Sequence, residues 1–230
     1  MIPYRLMLAG FLTAGATFAA TLYGPTPYLR ASDSPFAGGV FSYFHLEDFE
    51  DGALNTPGLS ANAGIVLAPG VNTDSVDEDD GAVDGFGQNG HSWFSNASTT
   101  SFTFTFNAAV LGNLPTHAGL VWTDVGATLN GIFGLGLVSF EAFDENGASL
   151  GGYGPGFHGD GSVAGGASED RFFGFYNASG ISRITISVDS ADWEVDNIQY
   201  GFADPVPEPS TIALASLSLL ALAARRFITK

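Results

Sequence analysis

Carboxylates are the side chains with which this chain could do chemistry: it carries 24 Asp and Glu against 7 Lys and Arg, four histidines and no cysteine. Six of the acids, Asp74, Asp77, Glu78, Asp79, Asp80 and Asp84, fall within eleven residues, where like charges repel one another unless a cation joins them. Their spacing misses the calcium loop that sets acids or amides at alternate positions ahead of Gly and a later Glu, so a solvated loop is expected there. Paired carboxylates could also hydrolyse glycosides, and Glu141, Glu169 and Asp170 are candidates for such a pair. With so many acids, some pair arises by chance.

Other catalytic patterns lack the elements they require. Gly147-Ala148-Ser149-Leu150-Gly151 has G-x-S-x-G spacing, but more glycine follows it instead of the helix of a nucleophile elbow. Gly154-Pro155-Gly156-Phe157-His158-Gly159 has G-x-G-x-x-G spacing and again no helix on which a pyrophosphate could rest. His45, His91, His117 and His158 are scattered singly and give no zinc spacing. The chain is therefore expected not to be an enzyme. Trp93, Trp122 and Trp193 could stack on sugar rings if exposed, although Trp122 lies in the apolar run Gly119-Leu120-Val121-Trp122, which reads as core.

The elements that must position these groups are strands. Phe102, Phe104 and Phe106 alternate with polar residues, so one face of that segment is wholly aromatic. Further strands are expected at 137–143, 171–176, 184–188 and 193–200, each bounded by Gly, Asn, Asp or Ser. With 31 glycines and no sustained helical period before the tail, the expected fold is all-β, a single antiparallel sandwich or jelly roll over 43–203. A Pro/Ser/Gly-rich leader at 21–42 precedes it, and the glycine-rich 151–161 reads as a loop.

Both ends carry address signals. Arg5 precedes an apolar stretch at 6–20 with small residues at its end, as in a secretory signal peptide spanning 1–20. At 204–230, Val206-Pro207-Glu208-Pro209-Ser210 leads into an uncharged run at 211–224 that stops on Arg225 and Arg226. Fourteen helical residues span roughly 21 Å, short of the ~30 Å hydrocarbon core, so this helix would insert transiently with its arginines in the cytoplasm. Removing both ends leaves residues 21–208 with Arg30, Arg171 and Arg183 against all 24 acids, a net charge of −21. A surface so charged excludes nucleic acid and attracts divalent cations. An exported domain without cysteine must also be stable without disulfides.

The tail resembles the PEP-CTERM sorting signal of bacterial surface proteins. That resemblance implies recognition of Pro207-Glu208-Pro209 by an exosortase-type membrane protease, release from the inner membrane, and a destination at the cell surface or in the extracellular polysaccharide of a Gram-negative bacterium. The middle of the chain, at 46–58 and 195–201, is similar to other uncharacterised proteins with this signal. Leu46-Glu47-Asp48-Phe49-Glu50-Asp51-Gly52 and Trp193-Glu194-Val195-Asp196-Asn197-Ile198 also resemble the bookends of calcium-bearing jelly-roll carbohydrate-binding modules. That likeness implies adjacent first and last strands and a structural calcium held by Glu50 and Asp196. The expectation is a non-enzymatic, exported acidic protein of the surface or biofilm matrix. Its alternatives are a carbohydrate-binding module with structural calcium and a glycoside hydrolase.

Overall fold

The computed structural model describes residues 20–96, 99–124, 136–160 and 162–203. The signal segment and the tail, expected as flanking helices, lie outside the described residues except for Ala20. Among the described residues twelve strands follow in chain order: β1 (Thr21–Pro27), β2 (Tyr43–Glu47), β3 (Leu59–Ala61), β4 (Ile65–Leu67), β5 (Ser92–Phe94), β6 (Ser101–Phe106), β7 (His117–Trp122), β8 (Leu137–Phe143), β9 (Ser149–Phe157), β10 (Arg171–Tyr176), β11 (Arg183–Val188) and β12 (Glu194–Phe202). Helix among the described residues amounts to α1 (Ala108–Leu111) and 3-10 turns at Ala31–Asp33 and Asp77–Asp80. None is long and apolar enough to cross a membrane.

Two antiparallel sheets result. The larger runs β1-β10-β7-β12-β5-β4, with β2 sharing the edge of β12 that β5 occupies further back; the smaller runs β3-β6-β11-β8-β9. Their facing sides share one core. The three alternating phenylalanines of β6 are buried as the spacing predicts, Phe102 against Trp193 at 4.3 Å between ring centroids and Phe106 against Tyr200 at 5.0 Å. At the other end Phe140 of β8 stacks on Phe173 of β10 at 6.1 Å. Aromatic rings of this size dominate core energetics, and truncating one to alanine costs about 3–5 kcal/mol.

Residues 21–42 are part of this fold and not a detached leader. β1 pairs with β10, and Tyr28 and Phe36 pack with Val76, Val121 and Phe172 in a second cluster on the outer face of the large sheet. The cause is legible in β10, whose consecutive Phe172 and Phe173 face opposite sides, so both faces need cover. β1 tolerates Pro25 and Pro27 because it is an edge strand, where a missing amide donor breaks no ladder. The glycine-rich stretch after 149 is also a strand and not a loop. At Gly152 an added Cβ would meet the Phe140 carbonyl oxygen at 2.1 Å, so glycine is what lets β9 lie this close to β8.

A candidate metal centre at one end of the large sheet

β7 and β10 pair Trp122 with Arg171, and at that same end the chain continues into Thr123 and Asp124 on one side and arrives through Glu169 and Asp170 on the other. Continuing the register sets Asp124 opposite Glu169. β12 begins beside them, pairing Val195 with Trp122 and Asp196 with Val121. Glu194 and Asp196 lie two residues apart and so share a face. Each accepts a backbone amide from the segment that joins β4 to β5: Asp74 N–H donates to Glu194 Oε2 at 2.8 Å, and Val76 N–H to Asp196 Oδ2 at 2.8 Å. Thr123 Oγ1 adds a donation to the Asp74 carbonyl at 2.6 Å.

The acidic segment is thereby pulled down onto the sheet: Asp74 and Asp77 are buried, while Glu78 and Asp84 face solvent as expected of a solvated loop. Asp77 is fully buried and accepts the amides of Asp84, Gly85 and Phe86, which folds the segment around its own carboxylate. Asp74 is 1% exposed, and neither of its carboxylate oxygens receives a hydrogen bond. Those oxygens face Asp124 and Glu169, and the three side chains each offer one oxygen within 4.8 Å of the others. All three are buried. Asp170 beside them is also buried with both oxygens unpartnered, while Arg171 donates to the carbonyls of Ser168 and Asp170.

The electrostatics follow from that crowding. Burial and then the charges of Asp170 and Asp124 hold the Asp74 carboxyl well above the usual carboxylate range. Burial pushes Glu169 up to about 8, against the Asp160 amide that favours its charged form. Burial and Asp124 bring Glu194 to about 8 as well, against the donations from Ser92 Oγ and Asp74 N–H. Asp170 is raised by burial and by Glu169. Buried carboxylates of one sign are costly unless a cation or a full set of donors compensates them. The donor set here is all hard oxygen, which suits calcium or magnesium and not a thiophilic or imidazole-seeking ion.

The residues singled out from sequence are distributed differently. β2 does pair with β12, and Glu50 and Asp196 enter one charged group with Asp79, whose carboxyl burial and then Asp48 and Glu50 raise to about 7. Their oxygens are engaged already: Asn197 N–H donates to Asp196 Oδ1 at 2.6 Å, and Glu50 accepts the His91 amide while its Oε2 lies 3.3 Å from His91 Nδ1. Glu141 is exposed on β8 in the small sheet, so the structure does not join it to Glu169 and Asp170 in a hydrolytic pair. Trp93, Trp122 and Trp193 are all core residues, which removes them as sugar platforms. The histidines stay apart, with His158 on Tyr153 and His117 on Thr116. Asp124 and Glu169 were not read as ligands, and their only sequence signal is an acid just beyond the end of an apolar strand.

The class of molecule these observations define is an acid-rich domain of two antiparallel sheets with a carboxylate cage at one end. Its delivery is marked in the tail, where residues 205–226 match the family model described as the PEP-CTERM protein-sorting motif. That motif belongs to exported proteins that are anchored transiently in the membrane and processed by an exosortase. No curated protein and no solved structure matches the chain, so no relative supports the likeness of the middle region to jelly-roll modules. Val206, Pro207, Glu208, Pro209, Ser210, Arg225 and Arg226 fall within the match and lie outside the described residues.

Proposed function

We propose that this chain is a non-enzymatic protein of the cell surface or biofilm matrix of a Gram-negative bacterium, delivered there by exosortase processing of its tail and retained by exopolysaccharide. The observation that carries the reading is the junction between fold and signal. β12 ends at Phe202 and the sorting match begins at 205, so cleavage in the motif would release both sheets whole. The test is the intact mass and location of the chain in an exosortase-bearing host beside Glu208→Ala. The expected result is loss of both ends and release of the wild type, with the variant retained at the membrane and keeping its tail. An uncleaved, membrane-held wild type would reduce the tail to an anchor.

A carbohydrate-binding reading has one feature in its favour. A cleft of about 330 Å³ on the outer face of the large sheet is lined by Phe36, Phe41, Phe44, Leu46 and Gln199, with Phe44 exposed. Failure to retain any polysaccharide, including that of the host, removes it.

A further inference from the structure

We propose that Asp74, Asp124 and Glu169 bind one calcium ion, which fastens the 68–91 segment across the end of the large sheet. The three ligands come from stretches far apart in sequence: the segment between β4 and β5, the exit of β7 and the approach to β10. Three carboxylate oxygens within 4.8 Å of one another lie inside the span that a cation with ligand distances of about 2.3–2.6 Å bridges.

The unpartnered state of Asp74 separates this site from a mere acidic cluster. Two carboxyls sharing a proton would be hydrogen-bonded to each other, yet neither oxygen of Asp74 has a hydrogen-bond partner. Solvent does not compensate it either, because the residue is 1% exposed. Its backbone is held in place from both sides, N–H on Glu194 and carbonyl on Thr123, so the side chain is aimed inward by the fold itself. Glu50 and Asp196 differ on this point. Backbone amides and His91 already donate to their oxygens, and a cation there would have to displace those bonds.

Calcium is favoured over magnesium by the ligands. Magnesium requires a near-ideal octahedron and keeps most of its waters, whereas calcium accepts several carboxylates and carbonyls in irregular geometry. Asp170 and Glu194 lie beside these three side chains without belonging to the cluster.

The test uses the full chain stripped with EDTA, titrated calorimetrically with calcium chloride or magnesium chloride and followed by thermal unfolding. The wild type should take up one calcium per chain, with a rise in its unfolding midpoint. Asp74→Asn and Glu169→Gln should each weaken binding at least tenfold, while Glu50→Gln leaves it unchanged. A crossing of stabilities guards against mere structural damage. In EDTA, Asp74→Asn should melt above the wild type, because a carboxyl that is costly to ionise beside the other acids is replaced by a neutral amide; in calcium it should melt below. No heat and no midpoint shift in the stripped wild type overturns the site. Binding that survives both ligand substitutions, or that Glu50→Gln alone abolishes, assigns the ion elsewhere, and a preference for magnesium overturns the ion.

Discussion

A buried acid and a half-buried one show how little burial alone says about a carboxylate. Glu47 is 3% exposed, yet its oxygens accept the amides of Phe49, Asn55 and Thr56 and the hydroxyl of Thr56, so it acts as a clamp on the turn after β2. Replacing Glu47 by Ala should destabilise the domain by about 2–3 kcal/mol, read as a shift in urea midpoint at constant slope, because several amides would be left without an acceptor. Asp79 is the opposite case: Asn197 Nδ2 donates to it at 2.8 Å, but burial and the charges of Asp48 and Glu50 dominate and its carboxyl stays protonated to about 7. Its unfolded value is near 3.8, so the folded state binds the extra proton between those limits. Stability in EDTA should therefore fall as pH rises from about 4 to 7, the direction set by the native state holding more protons than the unfolded chain. Asp79→Asn should abolish that part, raising stability at pH 8 by on the order of 1 kcal/mol after solvent screening and changing little at pH 4. Melting curves across this pH range, equal in slope for wild type and variant, would contradict it.

The segment between β4 and β5 is held by a few close approaches as well as by charge. Gly87 passes so near Ser75 that an added Cβ would lie 1.9 Å from the Ser75 carbonyl oxygen, and its amide donates to the Gly165 carbonyl at 3.0 Å. Gly87→Ala should therefore push the segment off the sheet, cost about 1–3 kcal/mol, and expose amides 73–77 to hydrogen exchange while those of β6 and β11 stay protected. Strands were the legible part of this fold. The alternating phenylalanines of β6 and the apolar runs of β8, β10 and β11 announce themselves, because side-chain period and strand geometry coincide. β1 was hidden by its prolines and β9 by its glycines, both of which suit an edge or a bulge better than propensity suggests. β12 hides a different irregularity: the register shifts between Asp196 and Gln199, with Asn197 at φ 46°, so Val195 and then Ile198 face the core although their parity differs. The cage was the least legible feature. Its ligands are about 45–50 residues apart in sequence, and the register between β7 and β10 that sets Asp124 opposite Glu169 has no local signature.

For the molecule as a whole, three arginines against 24 carboxylates between residues 21 and 208 leave a surface that repels itself. Raising sodium chloride from low to physiological strength in EDTA should raise the unfolding midpoint, since the Debye length shrinks to about 8 Å and screens exposed charges. Truncation probes the architecture more sharply. A chain of residues 20–203 should unfold cooperatively, while 20–193 should show no thermal transition, because it lacks the strand to which β2, β5 and β7 all attach. That placement also sets a timetable. A chain leaving the ribosome or a translocation pore N-terminus first presents β1, β7 and β10 before β12, which comes last among the described strands and belongs in the middle of the sheet. Until it arrives, β4 and β5 cannot join the rest, and acids meant for burial stay in water. Assembly must therefore wait for the stretch just ahead of the sorting motif, so a tail that pauses in the membrane would give the last strand time to dock before the chain is cut loose.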